Sequence, residues 1–139
     1  MKLYDIDKVF LGGTCNDSTW RDELIPKLDV DYFNPVVDDW NDEAKIKEET
    51  EKHNAQFRLY VITPLMTGIY AIAEAVDDSN KYPERTLVCI LEEDGGKTWS
   101  NSQRSSLDSF MSMVSSNGAK VFDNLDAVAK HLNSGYEYK

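Results

Sequence analysis

The sequence predicts an α/β fold in which five parallel strands form one sheet with helices on both faces. Five short apolar runs, typical of buried strands, alternate along the chain with segments whose apolar residues recur at helical spacing. Such alternation favours parallel strands joined by right-handed crossovers. The length of 139 residues is that of one domain, and no repeat or linker divides the chain. We therefore expect a single domain over residues 1–139.

A glycine-containing loop joins the first strand to the first helix. An apolar run over residues 8–11 predicts the strand, which Gly12 and Gly13 end. A helix then follows, with Asp17 or Ser18 as its cap. Its apolar residues at helical spacing are Trp20, Leu24 and Leu28. Backbone N–H groups of such a loop can cradle a phosphate or a sugar. The loop lacks G-x-G-x-x-G spacing, however, and an ordinary tight turn is the alternative.

The second strand leads into a loop and a charged helix. The strand is predicted at Val30–Phe33. In the loop after it, Asp38, Asp39 and Trp40 are candidates to line a pocket, although Trp40 would equally suit a position over the sheet edge. Residues 42–55 contain few apolar side chains and many charges of opposite sign four residues apart. This pattern predicts a helix on the outside of the molecule.

The stretch from Leu59 to Asp78 is the centre of the predicted sheet. It begins with an apolar, β-branched run that ends at Ile62, followed by a short turn and a helix. The apolar stripe of that helix consists of Ile69, Ile72, Ala73 and Val76. Tyr70 and Glu74 lie on the other side, together with Asp78. Spacing alone therefore makes Glu74 a solvated surface residue.

Two more strands and two more helices complete the prediction. The fourth strand is the uninterrupted apolar run Thr86–Leu91, which an acidic turn follows. A helix is predicted over residues 100–116. Its apolar residues are Leu107, Phe110, Met111 and Val114. The fifth strand covers residues 119–122, and Asp123 or Asn124 caps the last helix. The apolar face of the last helix consists of Leu125, Val128, Ala129 and Leu132.

For five strands we expect the order 2-1-3-4-5, which gives a Rossmann/flavodoxin-like three-layer sandwich. Strands one and three are then neighbours at the switch point of the sheet. The loops after them, Gly12–Asp17 and Thr63–Gly68, face one crevice, and the loop Asn34–Trp40 forms its wall. Open α/β sheets bind ligands at such a crevice, so the sequence predicts a ligand site there.

Charge and cysteine content restrict the partners and the compartment. A net charge of -10 would repel nucleic acid polymers and anionic membranes. No apolar run approaches the roughly 20 residues of a membrane span, and the N-terminus lacks the pattern of a signal peptide. Cys15 and Cys89 fit a reducing cytoplasm better than a disulfide framework. His53 and His131 stand alone, so neither a metal nor another cofactor is predicted.

Three groups of motifs resemble the nucleoside 2-deoxyribosyltransferase-like family. In chain order they are VFLGGT (9–14) with Trp20-Arg21, YFNPVV (32–37) with Trp40, and LYVITP (59–64) with Met66-Thr67-Gly68 and Ile72-Ala73-Glu74. The resemblance covers roughly residues 8–133. It implies a Rossmann-like fold and a reaction in which a 2′-deoxyribosyl group passes from one base to another through a covalent glycosyl-enzyme.

The resemblance assigns the nucleophile to Glu74, and Tyr70 would orient it by a hydrogen bond. A carboxylate suits the task, because it can capture and later release the electron-poor anomeric carbon. The ligand would be a small nucleoside or nucleotide. The candidate binding residues are Gly12, Gly13, Thr14, Trp20, Asn34, Asp38, Asp39, Trp40, Met66 and Gly68.

The resemblance also bears on the proton donor and on assembly. Better-studied transferases carry an Asp before the helix, where this chain has the turn Met66–Gly68, so protonation of the base would come from Asp38 or Asp39, or would be absent. Neighbouring subunits often complete each site, which implies a homo-oligomer in which the tail Tyr136–Tyr138 could contribute. Hydrolysis by water is a variant of the reaction. The rival hypotheses are a non-catalytic module that binds or senses a nucleotide and a subunit used only for assembly.

Overall fold

A five-stranded parallel sheet is the centre of the computed structural model, which describes residues 5–15, 17–37 and 40–134. The strands in chain order are β1 (Asp5–Gly13), β2 (Asp31–Phe33), β3 (Ala55–Ile62), β4 (Thr86–Ile90), β5 (Glu93–Asp94), β6 (Lys97–Thr98) and β7 (Lys120–Phe122). The sheet has the order β2-β1-β3-β4-β7, and all neighbouring strands are parallel. The α/β class and the predicted strand order are confirmed.

Helices cover both faces of the sheet. They are α1 (Trp20–Leu24), α2 (Asp42–Asn54), α3 (Tyr70–Lys81), α4 (Asn101–Asn117) and α5 (Leu125–Ser134). One apolar core lies between the sheet and helices α1 and α5, and a second lies under α3 and α4. Strand β3 is buried along its whole length between the two cores. None of the helices in the described ranges combines the length and the apolarity needed to cross a bilayer.

Helix α1 is shorter than the sequence predicts. It ends at Leu24, and Ile25–Lys27 continues as a 3-10 turn that contains Pro26. Proline lacks the N–H that an α-helix needs at an interior position and clashes with the preceding turn. The backbone is extended at Leu28, so the apolar spacing that reaches this residue does not belong to one helix.

One of the two predicted helix caps, Asn124 of α5, is confirmed. The N-cap position of α1 is Thr19, one residue after the predicted Asp17 or Ser18, and the Thr19 side chain accepts no capping hydrogen bond. The Oγ atom of Ser18 accepts a 3.4 Å hydrogen bond from the N–H of Trp20, the first residue of the helix. Ser100 caps α4 in a reciprocal capping box. The Oδ1 atom of Asn124 accepts a 2.7 Å hydrogen bond in the first turn of α5.

The acidic turn after β4 contains a small hairpin that the sequence does not predict. Strands β5 and β6 pair antiparallel, and Gly95 and Gly96 join them with φ values of 58° and 83°. Two-residue strands are too short to show an alternating pattern. The hydroxyl of Ser18 donates a 2.5 Å hydrogen bond to Asp94, which attaches the hairpin to the loop after β1.

Candidate functional site

A pocket of about 390 Å³ lies outside the carboxyl ends of β1 and β3, and its volume is in the range of small-molecule sites. Its walls come from the loops after β1, β2 and β3, from α2, and from the first turns of α3. The three loops that the strand order predicts to converge therefore meet around one cavity. Its position is the switch point of the sheet.

Eight of the predicted site residues line this pocket. They are Gly12, Gly13, Thr14, Trp40, Met66, Gly68, Tyr70 and Glu74. Their contact with a ligand stays a prediction. Asp38 and Asp39 lie outside the described residues, as does the tail Tyr136–Tyr138.

Trp20 and Asn34 do not line the pocket. Trp20 is fully buried in the core, and its indole Nε1 donates a 2.7 Å hydrogen bond to the carbonyl of Thr14. It supports the loop from below and is closed off from a ligand. The Oδ1 atom of Asn34 accepts a hydrogen bond from the N–H of Val36. This local turn presents the apolar residues that follow Asn34 to the pocket.

Trp40 lies on the pocket wall and is 56% exposed. A side chain this open does not cover the sheet edge, so the structure favours the pocket over the edge position. Val36 and Val37 share the same rim and are also exposed. The entrance to the pocket is therefore apolar and contains an aromatic surface on which a flat ring can stack.

The glycine loop after β1 packs closely against β3. Gly13 has a φ of 118°, and a Cβ atom there would lie 2.2 Å from the carbonyl oxygen of Val61. Next in the chain, Thr14 donates its N–H to that carbonyl and accepts a hydrogen bond from the N–H of Thr63. The glycine thus allows two backbones to meet. The N–H of Thr14 is used within the protein, as in an ordinary tight turn.

Helix α3 buries part of its predicted polar side together with part of its apolar stripe, so the prediction that the whole polar side faces away from the protein is wrong. Asp78 is buried, whereas Ile69 from the predicted apolar stripe is 77% exposed. The reason lies in β3, which carries two polar side chains beneath the helix. Arg58 and Tyr60 donate hydrogen bonds of 3.0 and 2.5 Å to the carboxylate of Asp78. Glu74, one turn earlier, is consequently drawn into the wall of the pocket.

Lys52 of α2 is the hydrogen-bond donor to Glu74. Its Nζ atom lies 2.9 Å from Oε2 of Glu74 and 3.5 Å from Oδ2 of Asp78. The side chains of Lys52 and Glu74 are 19% and 17% exposed. The sequence suggests only a pairing of Lys52 with Glu48 within a solvated helix. No local signal reveals that the end of α2 reaches across to α3.

Tyr70 does not orient Glu74. Its side chain lines the pocket and is largely exposed. Among the described residues no hydrogen bond joins the two side chains. Helical spacing places Tyr70 and Glu74 on one side of α3, but the ion pair with Lys52 holds Glu74.

Glu48 is a second carboxylate in the same pocket, and its role is not evident from the sequence. Burial raises its pKa, and the nearby charge of Glu74 raises the pKa further, whereas Lys52 and Arg21 act in the opposite direction. The two glutamates therefore have different environments. One carboxylate is bonded to an ammonium group, and the pKa of the other lies above its ordinary value.

Arg21 brings a cation to the base of the pocket. Its guanidinium donates to the carbonyls of Leu11 and Thr14 at 2.9 to 3.1 Å and stacks on the ring of Trp20. Burial lowers its pKa. Arg21 therefore holds the end of β1 in place. Within the described residues no group of three or more His, Cys, Asp or Glu side chains is arranged to hold a metal ion.

Comparison with known proteins assigns the family. A family model described as nucleoside 2-deoxyribosyltransferase like matches residues 6–81, which is more than half of the chain and includes every residue that lines the pocket. No curated protein matches the chain. The match supports, in general terms, a role in glycosyl transfer related to nucleosides. The chain belongs to the nucleoside 2-deoxyribosyltransferase-like family.

Proposed function

We propose that the chain cleaves the N-glycosidic bond of a (deoxy)nucleoside or nucleotide, with Glu74 as nucleophile, and passes the glycosyl group to a second base or to water. The observation that carries the proposal is the pair of unlike carboxylates in one pocket. Glu74 is ion-paired with Lys52, while burial and the charge of Glu74 raise the pKa of Glu48. Two carboxylates in contrasting environments commonly divide nucleophile and acid roles in glycosyl chemistry.

The reaction takes two displacements. Glu74 attacks the anomeric carbon through one carboxylate oxygen, and the bond from that carbon to the base nitrogen breaks. The electron pair moves to the base, which takes a proton from Glu48. In the second step an acceptor base or water attacks the same carbon and gives its proton to Glu48. The ester bond then breaks, and its electron pair returns to Glu74.

The apolar rim suits a nucleobase. Trp40, Val36, Val37, Met66 and Tyr70 line the mouth of the pocket, while the two glutamates supply polar groups to the same cavity. A flat, partly apolar base gains from stacking on an aromatic ring. The sugar would then lie against the carboxylates with its anomeric carbon toward Glu74.

A module that binds nucleotides without turnover is the second candidate. It is favoured by the turn Met66–Gly68, which has no acid beside α3, and by the lack of a hydrogen bond from Tyr70 to Glu74. In that case the same pocket would hold the ligand, and Glu48 and Glu74 would contact it without forming a bond.

A product assay separates these functions. The protein is incubated with a panel of deoxynucleosides and deoxynucleotides, with and without a second free base, and the products are separated by chromatography. A new nucleoside that forms only with the second base means transfer, and a free base released without it means hydrolysis. Binding seen by thermal shift without any product supports the module. The absence of both product and binding would contradict both functions.

We further propose that the chain acts as one domain in a cytoplasmic homo-oligomer. Two free thiols, Cys15 and Cys89, suit a reducing compartment. The large apolar side chains exposed near the pocket, such as Ile69 and Tyr70, suit burial against another subunit. Sedimentation velocity at several protein concentrations measures the oligomeric state. A monomer at all concentrations would contradict the proposed homo-oligomer.

A further inference from the structure

We propose that Lys52 is a positioning residue for Glu74 and that the buried carboxylate of Asp78 keeps Lys52 in place throughout the reaction. The inference rests on the proposed function, because it concerns how the nucleophile is presented. It assigns a role to an ion-pair cluster beneath the pocket, formed by Lys52, Arg58, Glu74 and Asp78.

The cluster joins three elements around one buried acid. Lys52 comes from α2, Glu74 and Asp78 from α3, and Arg58 from β3. Asp78 is fixed by Arg58 at 3.0 Å and by the hydroxyl of Tyr60 at 2.5 Å. Its Oδ2 atom also lies 3.5 Å from Nζ of Lys52. A buried acid with three partners has little freedom to move, so it provides a fixed reference point for the ammonium group.

The ion pair distinguishes the two oxygens of Glu74. Lys52 donates to Oε2, and no donor in the described part of the chain bonds Oε1. A carboxylate held at one oxygen has its other oxygen oriented and available. The geometry therefore assigns the attack on the anomeric carbon to Oε1, with Oε2 held toward α2.

Asp78 gives Lys52 a second acidic partner, which is needed once Glu74 forms the ester. Esterified Glu74 carries no charge, so the ammonium of Lys52, which is only 19% exposed, would lose its partner. An unpaired and mostly buried charge is costly, and the side chain would move out to solvent. Because Asp78 lies within reach of the same Nζ atom, Lys52 stays paired and is in place when Glu74 is released.

Several ionisable groups surround Glu74, so a pH test must consider all of them. They are Lys52 and Glu48 from α2, Asp78 and Tyr70 from α3, Arg58 and Tyr60 from β3, and Cys15 and Arg21 beside the pocket. Among the residues that the structure describes, Lys52 alone is bonded directly to the carboxylate of Glu74. Loss of this adjacent cation favours protonation of Glu74, so activity at low pH should be lost sooner.

The test compares Lys52→Met with a matched control, Lys8→Met. Lys8 of β1 forms a 2.7 Å ion pair with Glu51, which belongs to α2 like Lys52. Both side chains of this pair are 20% exposed, so it is buried to about the same extent as the pair of Lys52 and Glu74. We expect Lys52→Met to lower kcat by about tenfold or more with little change in ligand affinity. The acid limb of its kcat/KM profile should move to higher pH, because the cation next to the carboxylate is lost. Lys8→Met should leave the profile unchanged.

Lys52→Arg is the conservative variant. It keeps the positive charge with a different hydrogen-bond geometry, so the acid limb should return to its wild-type position while kcat recovers only in part. Thermal unfolding of all three variants checks that they are folded. Wild-type turnover with an unchanged profile for Lys52→Met overturns only this inference. Wild-type protein without turnover on any substrate overturns the proposed function, and this inference with it.

Discussion

Glu48 and Glu74 are chemically the same side chain, and their different surroundings are the reason that we propose different tasks for them. Glu74 is bonded to an ammonium group. Glu48 lies where burial and the charge of Glu74 favour its protonated form. We therefore predict a separate effect on activity for the replacement of each residue: loss of the proposed nucleophile for Glu74 and loss of the proposed general acid for Glu48.

Glu74→Gln should abolish turnover and preserve binding. The amide keeps the shape of the side chain but lacks the charge and most of the nucleophilicity, so we expect kcat to fall on the order of a thousandfold or more. A 2-fluoro-deoxyribosyl probe should add its mass to the wild-type peptide that contains Glu74, and the variant should stay unlabelled. The matched control is Glu51→Gln, which breaks a similar ion pair outside the pocket. Wild-type turnover by Glu74→Gln would make Glu74 an ordinary helix residue.

Glu48→Gln should remove the alkaline limb of the pH profile. A general acid must be protonated to act, so activity falls as the pH rises through its pKa, and burial raises the pKa of Glu48 above its ordinary value. The variant should be slow with substrates whose base needs a proton to leave and nearly normal with an activated leaving group. The measurement is kcat/KM against pH for both kinds of substrate. An alkaline limb that persists in the variant would assign the proton to another group, with Asp38 and Asp39 as the predicted candidates.

At the level of elements, apolar periodicity predicts the sheet well and the orientation of α3 poorly. Strands β3 and β4 are buried on both faces, so their apolar runs are continuous and easy to recognise. On the inward face of α3, Asp78 is held by Arg58 and Tyr60, which lie on a neighbouring strand in space. Periodicity assumes that the apolar side of a helix is the buried one, so it cannot anticipate a polar contact between two elements.

The burial of Asp78 on the inward face of α3 leads to a prediction about the free energy of unfolding. Asp78→Ala should destabilise the fold by about 3 kcal/mol or more, because it leaves the buried guanidinium of Arg58 without its acid. Ile69→Ser, at the exposed N-cap position of α3, should not destabilise the fold, because serine is a favourable N-cap residue. Urea unfolding measures both. A larger loss for Ile69→Ser than for Asp78→Ala would contradict the described orientation.

For the whole molecule, the strand order was enough to locate the pocket, because it decides which loops are neighbours. The contents of the pocket were harder to predict. Trp20 belongs to a family motif, yet it is fully buried beneath the loop. Glu48 and Lys52 belong to a helix whose sequence shows only solvated charges, and tertiary contacts between elements decide their roles.

The net charge of the molecule predicts a preference among the proposed substrates. The molecule carries a net charge of -10, two glutamates line the pocket, and the described hydrogen bonds of Arg21 go to backbone carbonyls. We therefore expect kcat/KM for a nucleoside to exceed that for its 5′-monophosphate at low ionic strength, and the gap to narrow as salt screens the repulsion. The 5′-O-methyl nucleoside is the uncharged control for size. A preference for the monophosphate would contradict this expectation.

The tight contact of Gly13 with Val61 divides the pocket into a fixed part and an adaptable part. Two neighbouring central strands meet there without room for a methyl group, so changes at the base of the cavity would disturb the sheet itself. The rim is different, because Trp40, Val36 and Tyr70 are exposed side chains whose replacement leaves the core intact. Replacements at the rim can therefore change which ligand the pocket accepts, while the two glutamates proposed to be catalytic keep their positions.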